Sequence, residues 1–416
     1  MALLDIVTSC FLFSALYFEV FVLLTLFENL RHISITPLAD TSPKKFPFLP
    51  SVTIIIPCFN EEKTVSRTVQ SILDLDYPKE KLRISIVDDG STDNTWQHIA
   101  SWKGHPQIDL HQKKNGGKFT ALNYGIEKAR TDLVGCLDAD SFVEKDALRK
   151  IVYMFQHDQS LSVVAPAIKI WKPDSLIRRI QSPEYIYGIF IKKIFSLLHA
   201  VHVTPGPFSI FKRTVFKEVG LFKHAHNTED MEIAMRMHRF HKKIGNCHDA
   251  YVYTVGPKTF KSLHKQRVRW TYGFIKNALD YRDIFFNKKY GNVGFITLPF
   301  ALSALIGVLF FFTSALFSIT NRAIGQVQDL HAIGWRMTWP NIQFETFFLP
   351  THLNSILSIC IICFTIALLT FSFVITPEKI QARNLVAYIL LYPFIAMTWI
   401  IKSLSNVILV KKPSWR

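Results

Sequence analysis

Apolar positions along this chain fall into two kinds of pattern. Four runs are long and nearly free of charge: residues 6–27, interrupted by Glu19; residues 296–320 and 356–376, with no charged side chain; and residues 385–401, uncharged but short and carrying Pro393. The first three have the length a helix needs to cross a hydrocarbon core, and the fourth is marginal. Between the first and second runs the apolar stretches are short and alternate with amphipathic ones. Residues 52–57 read as a buried strand, 61–73 as a helix that Asn60 can cap, 82–87 as a strand, 93–102 as a helix and 108–111 as a short strand. Residues 117–129 and 144–156 continue as helices, and 133–137 and 162–166 as strands. Strands alternating with helices in this way predict an α/β domain, its sheet mostly parallel and covered by helices on both faces, inserted between transmembrane helices.

Beyond Pro173 the rhythm changes. Residues 176–198 read as one or two amphipathic helices that set Arg178, Arg179, Lys192 and Lys193 beside Ile186, Ile189, Phe190 and Leu197. Such a stretch can lie in a membrane interface or cover the sheet, and both readings stand. Residues 258–280, directly upstream of the second apolar run, are another candidate for the interface. The organisation expected is an anchor over residues 1–30, a Pro-rich linker over 31–50, a globular domain over 51–257 with the amphipathic stretch at about 174–199, a juxtamembrane helical region over 258–290, and about three spans over 291–416.

Composition sharpens this picture. The chain is 49% hydrophobic with 13% aromatics, too apolar for an ordinary soluble protein of this length. No Lys or Arg precedes the first run and no small-residue cleavage site follows it, so it reads as a signal anchor. Basic residues begin at Arg31, Lys44 and Lys45, which places the domain in the cytoplasm by the positive-inside rule. Residues 31–290 hold 40 Lys+Arg against 26 Asp+Glu, most of the whole-chain surplus of 16. No nucleic-acid-binding signature accompanies that charge; anionic lipid headgroups and a nucleotide diphosphate account for it. Three spans after the domain would put the basic tail, Lys411 to Arg416, outside, against the same rule, so one segment can instead be interfacial or re-entrant. The six cysteines form no zinc or disulfide framework, and Cys360 and Cys363 sit inside an apolar run as packing residues. The histidines, among them His224, His226, His238, His241 and His248, make no metal set by spacing.

Four polar motifs occur in fixed order in the domain. Asp88-Asp89-Gly90 closes a strand before a turn and a new helix, the place where open α/β sheets hold ligands. A carboxylate there can accept from a base or ribose, or simply make a turn and cap a helix. Pro57, Asn60 and Glu61 would line the same crevice edge. Asp138-Ala139-Asp140 ends another strand, and carboxylates two residues apart can share Mg²⁺ with a diphosphate, where the alternative is a solvated acidic turn. Lys118 can add positive charge near phosphates. In Thr228-Glu229-Asp230, Asp230 is the candidate general base for an attacking hydroxyl, with Glu229 beside it; the rival reading gives both acids to a helix dipole. Gln266, Arg269 and Trp270 lie at i, i+3 and i+4, on one helical face. Arg269 can fork onto diphosphate oxygens, Gln266 can bond sugar or phosphate, and Trp270 can offer a flat platform to an acceptor sugar or anchor in the interface. Arg267 points about 100° away and would meet lipid, product or the diphosphate from the flank.

Over roughly residues 50–285 and into the flanking spans, these motifs resemble the inverting, processive family 2 glycosyltransferases, which include poly-N-acetylglucosamine, chitin, hyaluronan and cellulose synthases. The combination of Thr228-Glu229-Asp230 with Gln266-x-x-Arg269-Trp270 carries most of that resemblance. It implies a GT-A type domain, a UDP-sugar donor with uridine contacts from Asp88 and Asp89, Mg²⁺ or Mn²⁺ on Asp138 and Asp140, Asp230 as base, a β-linkage by single displacement, and membrane helices that commonly form a path for the product. The segments around Lys265 to Trp270 and Cys136 to Ala147 resemble poly-N-acetylglucosamine synthases. Gly206-Pro207, where the acceptor would be expected, is similar to hyaluronan and chitooligosaccharide synthases. Cellulose synthases differ in a Cys-Gly-Ser acceptor motif that is missing here. The expected activity is transfer of N-acetylglucosamine from UDP-GlcNAc to a growing saccharide in the plasma membrane, with a possible accessory subunit. The rivals are a non-processive relative that adds one sugar to a lipid, and a non-catalytic nucleotide-sugar-binding protein.

Overall fold

The computed structural model describes residues 2–30, 49–332, 352–376 and 381–413. Most of the expected linker, and the last residues of the basic tail, lie outside the described residues. The chain divides into two compact units, Met1–Leu24 with Phe300–Leu369, and Thr25–Pro299 with Thr370–Arg416.

In the second unit, strand β1 (Val52–Cys58) has β-branched residues at nearly every position and is buried on both faces, which makes it a central strand. It runs parallel to β2 (Leu82–Asp88) and β4 (Leu133–Cys136), and β2 runs parallel to β3 (Ile108–Gln112). Four further strands extend this core: β5 (Ser141–Val143), β6 (Leu161–Ile170), β7 (Ser209–Lys212) and β8 (Lys243–Thr254). The sheet order is β3-β2-β1-β4-β7-β6-β8-β5. β7 is antiparallel to both β4 and β6, and β5 is antiparallel to β8. The sheet is therefore mixed, and its parallel half, β3 to β4, is the part that the alternation of strand and helix predicts.

Helices α1 (Ala2–Glu28), α2 (Val65–Leu73), α3 (Thr95–Ala100), α4 (Lys118–Lys128), α5 (Ala147–His157), α6 (Leu176–Leu197), α7 (Val215–Val219), α8 (Glu229–Arg239) and α9 (Phe260–Asp280) lead to α10 (Leu298–Ala332), α11 (Leu353–Ile375) and α12 (Ala382–Ile408). α2 begins later than its hydrophobic pattern because Asn60 is left-handed, at φ 56°, and a turn onto the Glu61 carbonyl intervenes. α4 lies close on the sheet: a Cβ on Gly125 would stand 2.6 Å from Ile55 Cγ2. The amphipathic stretch forms one helix, α6, with Pro183 inside it. Its buried Ile186, Ile189, Phe190 and Ile194 face β6 and β8, and it also packs on α12.

Four helices are long and apolar enough to cross a membrane among the described residues, Leu3–Glu28, Val293–Ala332, Leu353–Ile375 and Ala382–Ile408. The last is longer than its uncharged stretch predicts, because it continues through Lys402 and tolerates Pro393. In the first unit, Thr365 Oγ1 donates to Glu19 Oε1 at 2.5 Å, and Ser9 Oγ to Asn354 Oδ1 at 2.6 Å.

Candidate active site

The carboxyl ends of β1, β2 and β4 meet along one edge of the sheet, as parallel pairing in register requires. Asp88 ends β2 and Asp89 follows it, and both are almost fully buried. Asp88 accepts from Ser91 and, through its other oxygen, from Gln112. Asp89 accepts from Lys113 Nζ at 2.6 Å and from the backbone N–H groups of Gly116 and Gly117 at 3.0 and 2.8 Å. Both acids thus shape the loops beside the edge, and a nucleotide there would use the lone pairs left over. Asn60 joins the same loop, its Oδ1 accepting from the Thr92 N–H, while the Glu61 N–H donates to Thr95. Pro57 lies one residue from the end of β1.

Lys118 opens α4 after Gly117, whose φ of 90° suits glycine alone. Its ammonium stands 2.5 Å from Asp138 Oδ1 and 3.4 Å from Glu229 Oε1. One cation therefore joins the end of β4 to the start of α8. Burial opposes that charge, but Asp138, Glu229 and Asp230 outweigh it and raise the pKa of the lysine. Gly206 closes over the pair: a Cβ there would lie 2.7 Å from Lys118 Nζ and 3.0 Å from both Asp138 carboxylate oxygens. Pro207 follows in the loop before β7. A small cavity lies here, walled by Lys118, Cys136, Gly206, Phe222, Glu229 and Asp230.

Acid outnumbers base in this region. Asp140 is pushed up to about 7 by burial, then by Asp138 and Glu61. Asp230 is pushed up to about 6, first by burial and then by Glu229, against the pull of Lys118 and Arg269. No three His, Cys, Asp or Glu side chains gather to cage an ion among the described residues. Two carboxylates that repel each other at a half-buried edge are instead the partial set that Mg²⁺ ordinarily completes with phosphate and water oxygens, and they fit such an ion.

α9 completes the site from the other side. Arg269 Nη1 donates to the Asn227 carbonyl at 2.8 Å, in a turn where Ala225, His226 and Asn227 are all left-handed, a conformation that costs energy without glycine. Asn277 Nδ2 donates to Thr228 Oγ1 at 2.9 Å. Thr204 fastens α8 by donating from backbone and side chain to the Asp230 carbonyl. Asp230 Oδ1 accepts from the Met231 N–H. Gln266 Oε1 is buried and takes no hydrogen bond, a defect that a ligand donor would cure. Arg267 is turned away from the Lys118 cluster into an ion pair with Glu184 at 2.8 Å, and its guanidinium lies 4.4 Å from the Trp270 ring centroid.

The structure thus brings Lys118, Asp138, Gly206, Glu229 and Asp230 together, sets Asp140 beside Asp138, and ties Arg269 to the turn before Asp230. Asp88 and Asp89 belong to a neighbouring loop network at the same sheet edge. Thr204, Glu184, Gly273 and Asn277 escape sequence reasoning. For Gly273 a signal was present, since a glycine inside a helical pattern commonly marks close packing.

Residues 53–220 match the family described as Glycosyl transferase family 2. The chain is 30% identical over 355 residues to poly-beta-1,6-N-acetyl-D-glucosamine synthase of Staphylococcus epidermidis, spanning 85% of this chain and 81% of that protein. It is 35% identical over 243 residues to the synthase of the same name from Staphylococcus aureus (strain COL), 58% of each chain. Among solved structures, the mannosyltransferase PcManGT from Pyrobaculum calidifontis, in complex with GDP-Man and Mn²⁺, aligns with a TM-score of 0.60 at 21% identity, over 88% of this chain and 99% of that one. At that identity the likeness establishes the fold, a GT-A-like mixed sheet with helices around it.

Proposed function

This chain belongs to glycosyl transferase family 2, and from that premise we propose that it is a membrane-embedded, inverting β-glycosyltransferase that elongates a saccharide with N-acetylglucosamine from UDP-GlcNAc. The observation that carries the proposal is the Lys118 bridge, which draws a donor-side acid, Asp138, and the acids of α8 into one site. The name shared by the Staphylococcus relatives supports the choice of sugar.

In this reading the acceptor hydroxyl lies against Asp230. Its oxygen attacks the anomeric carbon, the bond from that carbon to the diphosphate oxygen breaks, Asp230 takes the hydroxyl proton, and UDP leaves. A base raised to about 6 is mostly ionised at neutral pH yet still basic enough to assist, an effect worth about 10²- to 10⁴-fold. Lys118 and Arg269 supply fixed positive charge where negative charge develops. Asp138 and Asp140 would hold Mg²⁺ or Mn²⁺, which when bound neutralises charge on the departing diphosphate. Asp88, Asp89, Pro57, Asn60 and Glu61 would form the nucleoside end. Gly206 and Pro207 leave room for the acceptor beside Lys118, with Gln266 and Trp270 lining its path. The domain would face the cytoplasm from a plasma membrane, with the spans guiding the product outward.

The test is a donor screen on the purified protein in lipid, reading UDP release and product mass. The proposal expects release from UDP-GlcNAc and a ladder of N-acetylhexosamine repeats. A single added sugar on lipid would instead assign the non-processive reaction, and no UDP release from any donor would overturn the assignment as an enzyme.

A further inference from the structure

We propose that Glu184 and Tyr392 are positioning residues for the acceptor end of the site: they hold Arg267 against the Trp270 ring and thereby fix the orientation of that ring from a helix of membrane-spanning length. The inference rests on reading Trp270 as the acceptor platform.

Arg267 and Trp270 are three residues apart on α9 and so are neighbours on its surface. The guanidinium, 4.4 Å from the indole centroid, is in range of a cation–π contact. A guanidinium on a flexible stem keeps a ring in one orientation only if the guanidinium is itself held. Here Glu184 Oε2 of α6 takes Arg267 Nη2 at 2.8 Å, and the two side chains are only 17% and 9% exposed. The other oxygen, Glu184 Oε1, accepts from the Tyr392 hydroxyl of α12, also at 2.8 Å. Both carboxylate oxygens are thus committed, one to the arginine and one to the spanning helix.

A second bond joins the same two helices independently. Ser403 Oγ of α12 lies 3.2 Å from the Val268 carbonyl of α9 and shares its single hydrogen between that oxygen and the Trp399 carbonyl of its own helix, 2.6 Å away. Tyr392 and Ser403 are eleven residues apart, about three helical turns, and so lie on one face of α12. α12 therefore grips α9 at adjacent residues, once through the backbone of Val268 and once, through Glu184, at the side chain that touches Trp270. Backbone contact alone would suffice to pack the helices. The additional chain Tyr392–Glu184–Arg267–Trp270 ends on an aromatic face, and that is the feature a packing role leaves unaccounted for.

The experiment compares full-length protein in lipid carrying Tyr392→Phe, Glu184→Gln or Trp270→Ala. Tyr392→Phe removes one hydroxyl and is the variant least able to unfold the protein. The readouts are the melting midpoint, KM for UDP-GlcNAc, KM for an added N-acetylglucosamine oligosaccharide, and product length. Tyr392→Phe is expected to keep the donor KM, to raise the oligosaccharide KM by about two- to fivefold, the span of one cation–π contact, and to shorten the product. Glu184→Gln should go further in the same direction, toward Trp270→Ala. If Trp270→Ala impairs acceptor use while Tyr392→Phe and Glu184→Gln match wild type, the positioning role is wrong and the platform reading survives. If Trp270→Ala itself leaves acceptor use unchanged, the platform reading fails. Equal losses in donor and acceptor parameters, with a lowered melting midpoint, would reduce the Tyr392–Glu184 link to helix packing and overturn the inference.

Discussion

A Cβ added to Gly273 of α9 would overlap the Thr228 hydroxyl in the turn that leads into Asp230. The missing side chain lets α9 lie directly on the segment that carries the candidate base, close enough for Arg269 and Asn277 to bond it. Gly273→Ala should therefore push the helix from the turn. A helical glycine replaced by alanine usually gains helix propensity, but the overpacking costs about 1 to 3 kcal/mol and wins. The expected outcome is a lower melting midpoint together with a fall in sugar transfer. An unchanged or higher midpoint with full activity would show that the turn relaxes freely.

The position of Asp230 predicts a pH profile. Its pKa is raised to about 6 because burial and Glu229 disfavour the charged form, and a base works only when ionised. kcat/KM for transfer should therefore be flat above about pH 7 and fall as pH drops through about 6, approaching tenfold per unit. A profile flat down to pH 5 would contradict the placement of the base.

The parallel half of the sheet was legible in the chain because β1 and β4 are largely apolar runs and β2 alternates Leu82, Ile84 and Ile86 with Arg83 and Ser85, with amphipathic helices between them. Of the other half, which mixes antiparallel pairs with the parallel β6–β8 pair, only β6 was legible, as the strand expected over residues 162–166. β5 and β7 are three and four residues long, too short for a periodic signal, and β8 carries Asn246, His248 and Asp249 through a register shift against β6. In the site, the acids Asp138, Glu229 and Asp230 and the Gln266 to Trp270 helix stood out by residue type and spacing. Lys118 was visible only as a charge near a glycine pair, since nothing in sequence reveals that a lysine will reach two acids twenty and more than a hundred residues away. Arg267 was expected to face lipid, product or the diphosphate, but Glu184, eighty-three residues earlier, captures it.

Lys118→Met tests the bridge. It removes the cation that Asp138 and Glu229 share while keeping much of the stem's volume. Transfer should fall by roughly 10²- to 10³-fold, the usual effect of deleting one group that stabilises developing charge, with a raised KM for the donor. Loss of less than tenfold with an unaltered donor KM would mean that the lysine serves only to pack α4 on the sheet.

Chelation tests the paired carboxylates. Activity should vanish when divalent ions are stripped and return with Mg²⁺ or Mn²⁺, and Asp140→Asn should demand a higher concentration of ion for half-maximal rate. Full transfer in the presence of excess chelator would rule out the ion assigned to Asp138 and Asp140.

The most direct measurement of the central claim is the turnover of Asp230→Asn with UDP-GlcNAc in lipid, beside equilibrium binding of UDP to the same protein. The account predicts that UDP binds as it does to wild type while saccharide elongation falls about 10²- to 10⁴-fold. Elongation at the wild-type rate in that variant would contradict it.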